Sequence, residues 1–329
     1  MLFQNAKHPL EMKVTHLNKV KAQRKHQLQL QMVDDKGLTS LISRAFTDLT
    51  KKENTKKTSK FGLFKNKTAN KNCFVLDFHG DIKATEVQQL REEISTLLTV
   101  AQAEDEVIVR LESSGGMVHA YGLAAAQLAR IKEAGLHLTV CIDKVAASGG
   151  YMMACVADKI LAAPFAVVGS IGVVAQVPNF HDLLEKHDID VEVFTAGKYK
   201  RTVTVFGENT EEDKQKFQQE LEETHKLFKD FVRKYRPSLD VEQVATGEHW
   251  YGEDAITRNL VDALQTSDSY ILEKMTNSEL YAIQSRQKPT IAQKLGISQA
   301  AQAVVATAID KLPDALAKLQ SAKMPMVKK

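Results

Sequence analysis

The chain has 329 residues, 43% hydrophobic and 26% charged, which supports a buried core and excludes collagenous, disulfide-scaffold and wholly disordered classes. At roughly 150 residues per domain, this length corresponds to about two domains or to one domain with extensions. The 44 Lys and Arg against 41 Asp and Glu leave a net charge of +3, too small to make nucleic acid the expected partner of the whole chain.

No positive patch followed by an apolar run opens the chain, so the sequence shows no secretory signal. Residues 14–32, rich in Lys, Gln and Arg with spaced Leu and Val, predict a solvated helix. Residues 51–71 are mostly Lys, Asn and Thr with Glu53 as the one acid, the composition of a basic, mobile linker and also of a juxtamembrane segment. The composition shift near residue 72 sets off 1–72 as a basic, mobile N-terminal extension.

From Cys73 the pattern becomes regular. Phe74 to Phe78 is a short apolar strand, and residues 85–103 carry Val87, Leu90, Ile94, Leu97 and Leu98 at helical spacing. The strand and helix unit recurs at 107–111 with 118–134, and again at 138–142 with 151–157; residues 159–163 and 191–195 continue the strands. Alternation of this kind predicts a largely parallel sheet with packed helices, an α/β class. The uncharged stretch 160–180 has the length of a membrane span but holds Pro164, Gly169, Ser170, Gly172, Gln176 and Pro178, and reads as buried strands and turns. Residues 211–236 form an amphipathic helix for which 209–213 supply a capping residue and first-turn acids, stopped by Pro237, with Phe217, Leu221, Leu227, Phe228 and Phe231 expected inward. Residues 73–275 are the expected core and 276–329 an Ala-rich helical tail, whose helix at 295–319 is interrupted by Pro313. Cys73, Cys141 and Cys155 sit among apolar neighbours without metal-ligand spacing and read as buried free thiols; no metal or cofactor is expected.

Two glycine-rich turns follow adjacent strands, Ser113-Ser114-Gly115-Gly116 and Ala146-Ala147-Ser148-Gly149-Gly150. Glycine there permits positive φ and lets backbone N–H groups face a ligand; two such turns would supply the two donors that a tetrahedral oxyanion needs. Ser148, at a strand-to-helix turn, is the natural nucleophile and needs a base. His119 is near in the motif map, but no triad order is recognisable. A lysine is the other choice, provided its pKa falls by about three units from its ordinary value near 10.4. Lys198 and Lys200, in the loop after the apolar run 191–194, are the candidates, and composition does not choose between them.

Val-Ala-Ala-Ser-Gly-Gly-Tyr at 145–151, Gly-Ser-Ile-Gly-Val at 169–173, Gly-Lys-Tyr-Lys at 197–200 and Gly-Glu-His-Trp-Tyr-Gly at 247–252 occur in the order and spacing of the S49 serine peptidases, which this chain resembles from about residue 73 to 268. The resemblance implies a ClpP/crotonase-like α/β fold with helical N- and C-terminal extensions. It implies a Ser-Lys dyad of Ser148 and Lys200, with Ser170 orienting the lysine and the backbone N–H groups of Gly115 and Gly149 as oxyanion donors. The longer signal peptide peptidases carry serine and lysine on tandem repeats, whereas the unit occurs once here, so Ser148 and Lys200 of neighbouring subunits would meet in a homo-oligomeric ring, expected to be an octamer. The implied substrate is an apolar, unfolded peptide such as a signal-peptide remnant. The implied location is the bacterial inner membrane, with the core on the periplasmic side.

Two positions depart from the pattern. Ser114 stands where the family's oxyanion turn usually has proline, which removes a φ restraint and keeps both glycines. The usual N-terminal membrane anchor is not visible, so the expectation is either a start downstream of it or attachment through the basic N-terminal segment. A crotonase-like acyl-CoA enzyme, sharing the paired backbone donors, and a non-catalytic membrane-associated scaffold are the rival readings.

Overall fold

A computed structural model describes residues 10–32 and 71–287; most of the basic linker and the Ala-rich helix at 295–319 lie outside the described residues. Period-two burial explains the strands. Along β2 (Lys71–Gly80) Leu76 and Phe78 face one side of the sheet and Cys73 and Val75 the other, and β3 (Glu106–Ser113) is buried on both faces, as a central parallel strand must be. The sheet is completed by β1 (Leu10–His16), β4 (His137–Ile142), β5 (Val145–Ala147), β6 (Lys159–Ala162), β7 (Val167–Gly169), β8 (His249–Tyr251), β9 (Ala263–Leu264) and β10 (Ser278–Gln287), with main order β1-β10-β2-β3-β4-β6-β9.

Helices take their places by the apolar stripe each presents. After α1 (Leu17–Gln31), α2 (Val87–Leu97) lays Leu90, Ile94 and Leu97 against one sheet face, and α3 (Val118–Glu133) adds Tyr121, Ala124, Ala125 and Leu128. The short α4 (Gly149–Ala154) is buried throughout, α5 (His181–Glu185) is not buried, and α6 (Glu211–Tyr235) buries Phe228 and Val232. The remaining helices are α7 (Val241–Val244), α8 (Gly252–Thr257) and α9 (Ser267–Lys274); Tyr270 and Ile271 of α9 cover the second sheet face at Cys73, Val75, Ile108, Cys141 and Leu161. The α/β class expected from the sequence is the class observed.

β3 positions the site by changing partner. It pairs with β4 from Glu106 to Arg110, and then with β5 at Ser113↔Ala146, because the chain leaves β4 at Ile142 and re-enters as β5. β5 pairs with β7 in parallel, and β7 with β8 antiparallel. The fork opens a crevice at the carboxyl ends of β3 and β5, where open α/β sheets place their ligands.

Several local expectations are corrected. The helix expected over 14–32 starts at Leu17, since residues before it belong to β1, and His16 bonds Glu279 at 2.6 Å. Residues 278–287 begin the expected helical tail but form β10, parallel to β2: Leu280 faces one side and Ile283 the other, an alternation that suits a strand. Residues 191–195 form no strand, and Phe194 is 87% exposed; no described residue supplies the ladder that unpaired backbone groups require. Leu227, expected inward on α6, is 70% exposed, while the unforeseen Val232 is buried.

Candidate active site

Ser148 occupies the turn between β5 and α4 with φ 52° and ψ −118°, a left-handed conformation rare for a residue with Cβ. Its N–H donates to Gly169 O at 2.8 Å, and its carbonyl accepts from Met152 N at 3.0 Å. The hydroxyl makes no hydrogen bond to a described residue, so the turn holds the main chain and leaves Oγ to the crevice. Gly149 opens α4, where the first N–H groups have no partner within a helix.

The first glycine turn packs directly on the second. Gly115 has φ 89°, and a Cβ there would lie 2.7 Å from Gly149 N and 2.8 Å from Ser148 Cβ, so only glycine fits. Its N–H donates to Ser113 Oγ at 3.0 Å. That bond belongs to a buried chain: Tyr121 OH donates to Asp81 O at 2.8 Å, so its oxygen accepts from Ser113 Oγ at 2.5 Å, and Ser113 Oγ in turn accepts from Gly115. Ser114, at the position where proline was expected, is exposed and lines the crevice.

Ser170 has φ 50° and donates its N–H to Glu248 O at 2.6 Å. The register Gly169↔His249 and Val168↔Trp250 explains why the Gly-Ser-Ile-Gly and Gly-Glu-His-Trp segments occur together: they are one antiparallel pair behind the nucleophile turn. Gly169, at φ 109°, admits the Trp250 ring, which a Cβ would meet at 2.9 Å.

Ser148, Ser170 and Gly115 line one crevice of about 690 Å³, together with Gly172, Thr246 and His225. Beneath it lies a narrow pocket of about 20 Å³ walled by Val118, Met152, Val173, Thr224 and Phe228, which also touches Ser148 and Gly149. Sequence reasoning missed Thr224 and His225 of α6, and placed Phe228 inward on the helix without giving it a part in the site. Their only signal was the helical spacing of residues far from every glycine motif.

Lys200 is not brought to this crevice. It is exposed, its N–H donates to Gly197 O at 3.1 Å, and its side chain pairs with no described residue. Lys198 forms an ion pair with Glu212 Oε1 at 2.9 Å and lies 5.0 Å over the Tyr199 ring. The hydrogen bond to Glu212 raises its pKa above the ordinary lysine value, the wrong direction for a base. His119 is exposed and does not line the crevice. The three cysteines are free and buried, and burial pushes the Cys141 thiol up to about 12. Among the described residues, one trio, His181, Asp182 and Glu185, brings possible metal ligands within 4.8 Å; it sits on α5 and lines neither pocket.

The chain matches the profile of Peptidase family S49 over residues 130–281 and that of Peptidase family S49 N-terminal over residues 2–128. It is 65% identical over 223 residues to probable protease SohB of Haemophilus influenzae, covering 68% of this chain and 63% of that protein. It is 58% identical over 218 residues to the probable protease SohB of Buchnera aphidicola subsp. Acyrthosiphon pisum, covering 66% of this chain and 65% of the relative. The matched stretch therefore spans just under two thirds of these relatives' length. Among solved structures, the 1510-N membrane-bound stomatin-specific protease aligns at a TM-score of 0.43 and 13% identity, over 65% of this chain and 98% of its own.

Proposed function

Because this chain belongs to peptidase family S49, we propose that it is a serine endopeptidase in which Ser148 attacks the carbonyl of an apolar, unfolded peptide and Lys200 of a neighbouring subunit serves as base. The observation that carries this reading is Ser148 itself: a serine at φ 52° whose hydroxyl is left free at a crevice between two glycine turns and a helix N-terminus.

The chemistry follows from the groups in place. Neutral Lys200 Nζ takes the Ser148 proton as the Oγ–C bond forms. The Gly149 N–H stabilises the oxyanion, joined by Gly115 once its hydrogen bond to Ser113 Oγ is shared or released. Ser170, on the same crevice, orients the lysine. The Lys200 ammonium then protonates the leaving amine as the peptide C–N bond breaks; the neutral lysine next deprotonates a water that attacks the acyl carbonyl, and returns that proton to Ser148 Oγ as the Oγ–C ester bond breaks.

Lys200 lies outside its own chain's crevice, and the segments flanking it in sequence expose Phe194 and Phe206, surface suited to a second copy. A homo-oligomeric ring, expected to be an octamer, completes each site. The narrow pocket beside Ser148, walled by Val118, Met152 and Phe228, suits a small apolar side chain and supports signal-peptide remnants as substrates. Such substrates place the enzyme at the bacterial inner membrane with its core on the periplasmic side; among the described residues no helix is long and apolar enough to cross a membrane.

The deciding experiment is fluorophosphonate labelling of the purified protein with the adduct mapped by mass spectrometry. Modification of Ser148, absent in Ser148→Ala, is the expected result; labelling at another residue, or none in an assembled ring, overturns the reading.

A further inference from the structure

Tyr121 of α3 is fully buried and touches both glycine turns at once. Its ring packs on Gly149, where an added Cβ would collide with the ring atoms. Its hydroxyl accepts from Ser113 Oγ at 2.5 Å, and Ser113 Oγ accepts the Gly115 N–H at 3.0 Å. The far end of this chain is fixed as well. Tyr121 OH donates to Asp81 O at 2.8 Å, and the Asp81 carboxylate accepts from Thr85 N at 2.8 Å. One residue on, Ile82 O accepts from Met117 N, at the start of α3, at 2.9 Å. The loop after β2 thus grips α3 where it begins and, through the Tyr121 hydroxyl, the turn just ahead of it. A buried hydroxyl is costly unless paired, and this one is paired on both sides, so Ser113 Oγ cannot turn without breaking a buried bond.

We infer that Tyr121 is a positioning residue that sets the spacing of the two oxyanion donors, its ring bracing Gly149 and its hydroxyl, through Ser113, holding Gly115. The inference rests on the peptidase reading and on the donors proposed with it. Such donors act by standing in place before charge develops, and a displacement of about 1 Å can cost on the order of 100-fold in rate. Ser113 Oγ is a neutral acceptor, so it keeps the Gly115 N–H until the oxyanion, a stronger charged acceptor, forms within reach. The benefit therefore falls on the tetrahedral state and not on the bound peptide.

The test uses Tyr121→Phe, which keeps the ring against Gly149 and removes the hydroxyl, and Ser113→Ala, which breaks the same chain one link on, both in the full chain. With an apolar reporter peptide, each is expected to lower kcat about 10- to 100-fold with KM within about twofold. Affinity for a peptide boronate, which becomes a tetrahedral anion when Ser148 Oγ bonds to boron, should fall by a similar factor. Placed in Ser148→Ala protein, the same substitutions should leave Kd for a fluorescent, uncleaved peptide unchanged by anisotropy, which also certifies that the site is folded. Because the two residues act in series, the double variant should be no worse than the poorer single one. Tyr121→Phe with kcat and boronate affinity within about twofold of the parent overturns the inference, and so does a peptide Kd that weakens as much as kcat/KM falls. Multiplied losses in the double variant overturn it too. A parent protein that hydrolyses peptide and takes the boronate confines such a failure to Tyr121, whereas a parent that does neither refutes the peptidase reading and this inference with it.

Discussion

The N–H of Ser148 donates to the carbonyl of Gly169 at 2.8 Å. This bond continues the β5–β7 ladder by one residue beyond the strand and couples the two left-handed serines, Ser148 and Ser170, so that neither turn can relax alone. Strained conformations persist only where surrounding structure over-determines them, and here three strands do so.

If the proposed Ser148–Lys200 dyad operates, removing either member should abolish hydrolysis. Ser148→Ala and Lys200→Ala are each expected to lower kcat/KM by at least ~10³-fold with the fold intact by circular dichroism. Lys198→Ala, which breaks only an exposed ion pair with Glu212, should remain within a few-fold of the parent. Mixing the two inactive proteins under conditions of subunit exchange should restore part of the activity. A demonstrably mixed oligomer with no recovery would place both groups of each dyad in one chain.

The contact between the glycine turns makes Gly115 unforgiving. Alanine there adds a Cβ 2.7 Å from Gly149 N while holding φ at 89°, and is expected to cost about 1–3 kcal/mol. Activity should fall by more than about 100-fold if Gly115 and Gly149 are the oxyanion donors, as proposed. Gly122 in α3 is the contrast, with no atom within 4 Å of an added Cβ. Gly122→Ala should stabilise by about 0.5–1 kcal/mol without touching activity. Thermal melts and steady-state rates on the pair check both statements, and equal behaviour of the two variants would refute them.

Acid stability should depend on Glu106. Burial alone would raise its pKa, but hydrogen bonds from Lys274, Tyr270 and Thr139 outweigh burial and hold it below the ordinary value. A carboxyl with a depressed folded pKa contributes stability that is complete above its unfolded value, near 4.3, and is lost as pH falls through the lower folded value. Glu106→Gln should therefore lose about 1–3 kcal/mol at neutral pH and show a flatter decline in acid. Urea melts from pH 7 to pH 3 would measure it; parallel declines of parent and variant would contradict the assignment.

Membrane attachment through the basic segment predicts salt sensitivity. Each lysine of residues 51–71 near an anionic surface contributes about 1 kcal/mol, screened within about 10 Å at 0.1 M salt. The protein should sediment with anionic vesicles at low salt and leave them as salt rises, and Lys→Gln replacement across 51–71 should abolish binding while sparing peptidase activity. Undiminished binding by the neutralised protein would move the membrane contact elsewhere.

The elements whose signals are local were legible in the sequence. Apolar runs at 74–78, 107–111 and 138–142 became parallel strands, the helix ending at Tyr235 is capped by Thr210, within the segment 209–213 expected to supply a cap, and the glycine turns lie at strand ends as read. Each follows from side-chain period, capping chemistry or glycine's freedom, properties that a few adjacent residues carry by themselves. Position 191–195 has a strand's composition and forms none, whereas 278–287 and 10–16 join the sheet. A strand exists only where another offers its hydrogen bonds, and no stretch of sequence states who its neighbour will be.

The candidate site divides in the same way. Ser148 and the two glycine turns stand out in the sequence because each turn is written in consecutive residues, whereas Ser170 and the roles of Gly115 and Gly149 came only from the resemblance to the S49 peptidases. Their meeting at one crevice required β3 to exchange β4 for β5, and the place of His225 beside them required α6, a helix that is distant in sequence from Ser170, to pack through Phe228. Lys200, chosen over Lys198 only by the resemblance to the S49 peptidases, lies outside the crevice of its own chain. Sequence by itself determined which residues are candidates for the chemistry; tertiary structure alone decided which of them share a space, since distance across a folded core is set by packing and not by separation along the chain.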